Sequence, residues 1–222
     1  MGYIPALIAT IIYITDLFLF VPKYTKCKYD HTPRKRKLIW KGICIGCPLL
    51  ILLVMTSVKL IAGTADSTLC FLAAAMLLCA FGDIVLEIRF FKGGFFFLIG
   101  HLTYVTTLLK TEESLSYISL ASYIIMVTVG TVLTVKMLGS KYRYALIAYN
   151  MVISGSFSLS LPLIISGNPK LMLMGIGLCF LAVSDWLLAR NKAFGSNYSR
   201  SLVSLTFYFG GQILISTYPL FI

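Results

Sequence analysis

Charge is scarce in this 222-residue chain, where only 12% of residues are Asp, Glu, Lys or Arg. Soluble domains carry about a quarter, so a water-soluble globular protein is excluded. Acidic residues are the scarcer sign, eight against nineteen basic. Histidine occurs twice, at His31 and His101, too few for a three-histidine zinc site. The N-terminus has neither a basic leader nor a small-residue cleavage site. No removable signal peptide is expected, and the first helix acts as its own insertion signal. The apolar–polar alternation of a membrane barrel is missing too. Of the six cysteines, Cys44 and Cys47 form a lone C-x-x-C with no second pair. That is a weak zinc or redox signal, and small apolar packing residues are the simpler reading of Cys27, Cys44, Cys47, Cys70, Cys79 and Cys179. No metal and no cofactor is expected.

What is abundant is apolar sequence. Hydrophobic residues make up 59% of the chain and the mean hydropathy is +0.90. Eight apolar runs can be counted: Ile4–Phe20, Gly42–Ile61, Leu69–Ile88, Gly94–Leu109, Tyr117–Val135, Tyr144–Ile165, Leu171–Ala189 and Leu202–Phe221. The fourth is the shortest, and its start can be set back to Phe90. Most approach the ~20 residues of a bilayer-spanning helix. The expected fold is an all-α, eight-helix transmembrane bundle forming one integral membrane domain over residues 1–222.

The basic residues give orientation. Sixteen of the nineteen lie in the odd-numbered loops, eight of them in the basic loop 23–41, and only Lys59, Lys110 and Lys170 fall elsewhere. The positive-inside bias makes the odd loops cytosolic and puts both termini on the far side. In this setting the net charge of +11 is an orientation signal and a contact for anionic lipid, with no nucleic-acid partner implied.

Two stretches stand out within the apolar runs. Phe81-Gly82-Asp83-Ile84-Val85-Leu86 and Val183-Ser184-Asp185-Trp186-Leu187-Leu188 each place a carboxylate just inside the end of a run. An arginine (Arg89, Arg190) and then a phenylalanine follow each. A carboxylate at membrane depth costs about 2.5 kcal/mol or more on insertion scales and marks a functional position. The two helices run in the same direction with four spans between equivalents, which suggests a parallel four-plus-four repeat. At 1.5 Å per residue both aspartates lie roughly 8 Å inside the cytosolic ends of their helices. His101 is about 10 Å deep by the same rise, with Tyr104 one turn further. Tyr149, Asn150, Tyr208 and Gln212 reach a similar layer, and Asp16 falls in the same half of helix one. Polar groups from six helices thus converge on a pocket that opens towards the cytosolic leaflet. Singly, each has a plainer reading. Asp83 can pair with Arg89 or with a neighbouring helix, and Asp16 with Lys23 near the interface. Glu87 can be solvated. The tyrosines can be belt residues, and His101, Asn150 and Gln212 can join helices. The Gly93-Gly94 and Gly210-Gly211 pairs permit close packing.

Gly82-Asp83 with Leu86, then Gly94, then His101 with Tyr104, resembles the first signature of the YhhN-like, lysoplasmalogenase family of membrane proteins. Ser184-Asp185 with Leu187-Leu188-Ala189 and Phe194 is similar to its second. Tyr208 and Gln212 with Ile213-Leu214-Ile215 are similar to its C-terminal pattern, and Tyr149 to a tyrosine near the start of its sixth helix. One feature departs. The family often has a lysine a few residues before the proline of helix two, whereas Ile45-Gly46-Cys47 precede Pro48 here and Lys41 lies further back. The role of that lysine is not carried over.

The resemblance implies an endoplasmic reticulum membrane protein that hydrolyses the vinyl ether bond of lysoplasmalogens, a class of lysophospholipid. Products would be a fatty aldehyde and glycerophosphocholine or glycerophosphoethanolamine. A vinyl ether hydrolyses through protonation at its β-carbon, so an acid and a second group beside the resulting cation are needed. Asp83 and Asp185 are the expected catalytic pair. His101, Tyr104, Tyr149, Asn150, Tyr208 and Gln212 are the expected substrate-binding residues, and Arg89 or Arg190 can hold the phosphate or serve only as topology signals. A proton-coupled transporter or lipid-binding membrane protein would use the same carboxylates. A purely structural scaffold leaves them unexplained.

Overall fold

The computed structural model describes residues 3–30, 32–137 and 143–221, and every regular element among them is helical. His31, and Lys141 of the fifth basic loop, lie outside the described residues. The first apolar run extends further than its hydropathy suggests. α1 (Tyr3–Thr15) passes through a π-helical segment, Asp16–Phe20, into α2 (Val21–Tyr29). The Val21 amide bonds back five residues to the Asp16 carbonyl. Pro22 has no N–H to offer the preceding turn, and one wider turn accommodates that break.

α3 (Arg34–Ile61) begins well before Gly42, just after Pro33. The expected basic loop 23–41 is therefore mostly helix, with only Asp30, Thr32 and Pro33 non-helical among its described residues. Lysine and arginine are good helix formers, so their low hydropathy hid the helix without opposing it. α4 (Ser67–Leu86) is capped by Asp66, whose carboxylate accepts the Leu69 amide at 2.6 Å. α5 (Phe90–Leu109) starts at the earlier of the two positions considered. α6 (Tyr117–Met137), α7 (Arg143–Ile164), α8 (Pro169–Phe194) and α9 (Tyr198–Ser216) follow. Asn168 and Asn197 cap α8 and α9. Gly195, at φ 79°, stops α8 in a conformation that other residues rarely adopt.

Among the described residues six stretches are long and apolar enough to cross a membrane: Leu7–Tyr29, Arg34–Ile61, Ser67–Leu86, Tyr117–Lys136, Tyr144–Ile164 and Pro169–Lys192. The chain is a multi-pass membrane protein. α5 and α9 are not among the six. The first carries Lys92, His101 and Tyr104, and the second Arg200, Tyr208, Gln212 and several serines.

These two polar helices pack the most extensively, α5 along α4 and α9 along α8, in antiparallel hairpins. Small residues allow it. A Cβ on Gly93 would lie 2.6 Å from the Leu86 backbone, and one on Gly100 2.6 Å from the Cys79 sulfur. Gly177 and Gly211 cross face to face, each one's Cβ position lying within 2.9 Å of the other's carbonyl oxygen. Each of the expected glycine pairs thus has one member in close packing, Gly93 and Gly211. Gly94 faces open space and Gly210 makes only ordinary contact. Leu52, Leu69, Leu72, Met76, Leu108, Leu163, Met174 and Leu178 fill the core, while Leu120, Ile124, Ile125, Val129 and Val132 of α6 point outward. An apolar exterior around a partly polar interior suits lipid, where unpaired polar groups on the outer face are costly.

Candidate functional site

Asp83 sits in the last turn of α4 and Asp185 two-thirds along α8. Both are buried and face a common interior, close enough for Asp83 to feel the charge of Asp185. Cys79, one turn before Asp83, feels both carboxylates, as does the Tyr149 phenol. Each aspartate has its own set of partners.

Around Asp83 the main partner is Lys41. Its ammonium lies 3.1 Å from Asp83 Oδ1, donates to the Asp83 carbonyl at 2.8 Å and to Glu87 Oε1 at 3.2 Å. The Tyr24 hydroxyl donates to the same Glu87 oxygen at 2.5 Å. Lys41 is 3% exposed, so this is a buried ion pair and not a lipid-facing anchor. Sequence reasoning counted Lys41 among the loop residues. The structure corrects that: Lys41 is two turns inside α3, seven residues and one helical face before Pro48. A helix that starts at Gly42 leaves Lys41 outside it, whereas the start at Arg34 puts Lys41 on the same face as Pro48. Glu87 corrects a second reading, since it is held by a lysine and a tyrosine and not simply solvated. Glu87 stands one residue beyond α4. Burial pushes its carboxyl up, but Lys41, Tyr24 and Lys28 outweigh that and hold it below the usual glutamate range.

Around Asp185 the partners are neutral or exchangeable. His101 Nε2 lies 2.8 Å from Oδ2, and the Tyr149 hydroxyl donates to the same oxygen at 3.1 Å. The His101 ring meets Tyr104 and Tyr149 edge-on at 6.0 and 6.3 Å. The Tyr208 hydroxyl faces Asp83 and accepts from Gln212 Nε2 at 3.3 Å. Asp83 Oδ2, His101 Nδ1, the Tyr104 hydroxyl and Gln212 Oε1 are buried without a protein hydrogen bond meeting normal geometry. Buried polar atoms rarely stay unpaired, so four such atoms around two carboxylates make a site able to engage a polar ligand.

Tyr104 and Gln212 reach the aspartates only by way of His101 and Tyr208, and Asn150 is not brought to them at all. Its amide donates to the Val127 carbonyl of α6 at 3.4 Å, and Gly130 makes room for it. Neighbouring helical residues point about 100° apart, so Tyr149 faces inward while Asn150 ties α7 to α6. Asp16 does not pair with Lys23, whose ammonium lies 5.2 Å from the centre of the Trp40 ring. Asp16 is fully buried in the π-helical turn beside the Cys44 thiol. Asp83 pairs with Lys41, and Arg89 and Arg190 are exposed. Among the described residues no cluster of His, Cys, Asp and Glu could hold a metal ion.

The comparisons with known proteins bear on the whole arrangement. No curated protein and no solved structure matches the chain. The model of the YhhN family matches residues 37–218, which include every residue placed above against either aspartate, while α2, whose Tyr24 bonds Glu87, lies before the match. The chain belongs to the YhhN family.

Proposed function

We propose that this protein is a membrane hydrolase that cleaves the vinyl ether bond of lysoplasmalogens by acid–base catalysis, with Asp83 and Asp185 as its catalytic pair. It releases a fatty aldehyde and glycerophosphocholine or glycerophosphoethanolamine, and its membrane is that of the endoplasmic reticulum. One observation carries the reading: two buried carboxylates from distant parts of the chain share one interior, one held by a lysine, the other by a histidine and a tyrosine. Family membership supports it, because the resemblance drawn from the signature residues is to lysoplasmalogenases.

The two settings divide the work. An imidazole 2.8 Å from Asp185 can pass a proton to that carboxyl and take one back. Asp185 delivers this proton to the β-carbon of the vinyl ether. The electron pair of the C=C bond takes it up, and the adjacent carbon and ether oxygen become an oxocarbenium ion. Lys41 pins Asp83 by both its carboxylate and its carbonyl, so the free Oδ2 keeps a fixed direction. Asp83 stabilises the cation and accepts a proton from the water that attacks it. The hemiacetal then loses its glycerol oxygen, which leaves with a proton, and the aldehyde forms. Tyr208, Gln212 and Tyr104 orient the water and the ether oxygen. Positioned proton transfer of this kind contributes about 10²–10⁴-fold.

The test is aldehyde release from lysoplasmalogen by purified protein in detergent, with no membrane gradient. Stoichiometric aldehyde is expected. A protein that binds the lipid, or moves it when reconstituted, and releases no aldehyde belongs to the transporter or lipid-binding class instead.

A further inference from the structure

A cavity of about 260 Å³ opens where the α4–α5 and α8–α9 connections meet α2, lined among others by Lys28, Glu87, Asn191, Lys192, Ser201 and Ser204. We infer that it is the subsite for the phosphodiester of the lysolipid head group, with Lys28 and Lys192 as the residues that bind it. This rests on the lipid-hydrolase reading and adds to it the residues that select a phosphate-bearing substrate. Neither Arg89 nor Arg190 lines the cavity.

Three observations support the assignment. First, Lys28 feels the repulsion of Lys41 and Lys192 as well as the attraction of Glu87, and an anion in the cavity relieves that repulsion. Glu87 is also in the wall, but it already accepts from Lys41 and Tyr24. Lys192 is steadied by the Phe90 ring, whose centre is 4.7 Å from its ammonium. Second, the rim hydroxyls have settled partners, since Tyr29 bonds both Ser196 and Ser201. The two lysines are therefore the strongest donors facing the space. Third, the cavity wall is linked to both aspartates through the chain, although neither aspartate lines it. Glu87 is one turn beyond Asp83, and Ser204 exchanges hydrogen bonds with Ser184 at 2.9 and 3.1 Å, next to Asp185. A phosphate held by the lysines leaves only the three glycerol carbons before the ether oxygen, which keeps that oxygen on the side of the cavity nearest Asp83 and Asp185. The volume is small beside the roughly 300–1,000 Å³ of drug-sized pockets, so it takes a head group and leaves the chain to the membrane side.

The experiment measures binding without turnover. A fluorescent acyl lysophosphatidylcholine and a monoacylglycerol with the same labelled chain lack a vinyl ether, so neither is cleaved on the proposed mechanism. Wild-type protein in detergent is expected to bind the phosphate-bearing probe roughly tenfold or more tighter than the neutral one, the scale of charge-assisted hydrogen bonds. In Lys28→Gln/Lys192→Gln that preference should vanish, and in Lys192→Arg it should persist. If the double variant does not fold, each single glutamine variant should lose part of the preference. An undiminished preference in the glutamine variants overturns the assignment. So does displacement of the probe by inorganic phosphate at matching concentrations, which would make the cavity a free-phosphate site. Because no probe is cleaved, a protein that proves inactive on lysoplasmalogen would fail the hydrolase reading while still giving a result here.

Discussion

Lys41 has three partners on one short stretch of chain, the carboxylate and carbonyl of Asp83 and the carboxylate of Glu87. Removing one side of a buried pair leaves the other charge uncompensated, at a cost of about 3–5 kcal/mol. Lys41→Met is expected to lower the melting temperature sharply, and Lys41→Met/Asp83→Asn to recover part of the loss. Asp83→Asn alone should stay folded, since Lys41 keeps Glu87 and the carbonyl. Asp185→Asn should stay folded as well, because an amide oxygen can still accept from Tyr149. Glu87 gives a pH signature. Its carboxyl is held below the usual glutamate range, so its contribution is full above about pH 4.3 and is lost as pH falls through the depressed value. Melting curves of wild type and Glu87→Gln should differ at neutral pH by the equivalent of about 1.5–3 kcal/mol and converge in acid. At this scale the sequence was informative about the buried acids and the partners of Asp185, and silent about the lysine that holds Asp83. Asp83, Asp185, His101 and Tyr149 were legible because a charged or polar side chain in an apolar run is costly. Lys41 was not, because it stands among other basic residues and only a packed helix reveals which way it points.

The elements that build the site are the polar helices α5 and α9, each folded back on an apolar one. Close approach depends on glycine at single positions. Gly211→Ala puts a methyl group 2.7 Å from the Gly177 carbonyl, and overpacking of this kind costs about 1–3 kcal/mol. Gly94→Ala meets nothing within 4 Å. Thermal melts should therefore separate the two, with Gly211→Ala destabilised and Gly94→Ala close to wild type. The helix centres were readable from hydropathy and their ends were not. α2 and the start of α3 are rich in lysine and arginine, which favour helix without favouring lipid. The hydropathy that locates a span says nothing about those turns.

At the scale of the whole molecule, six spans among the described residues are apolar enough to stand alone. We propose that α5 and α9 cross as well, sheltered by α4 and α8, to give the eight crossings and the outward termini that the basic loops imply. A glycan acceptor inserted among residues 110–116 is then expected to be glycosylated in microsomes. One inserted at residues 30–33 should remain unmodified. If α5 did not cross, both loops would face the same side and share one fate. The proposed chemistry is tested most directly by running the reaction in deuterium oxide and trapping the aldehyde at once by reduction. Proton delivery to the β-carbon predicts one deuterium on the carbon beside the carbonyl, and loss of aldehyde release by about 100-fold or more in Asp185→Asn. Aldehyde without deuterium at that carbon, or undiminished release from Asp83→Asn and Asp185→Asn, would contradict it.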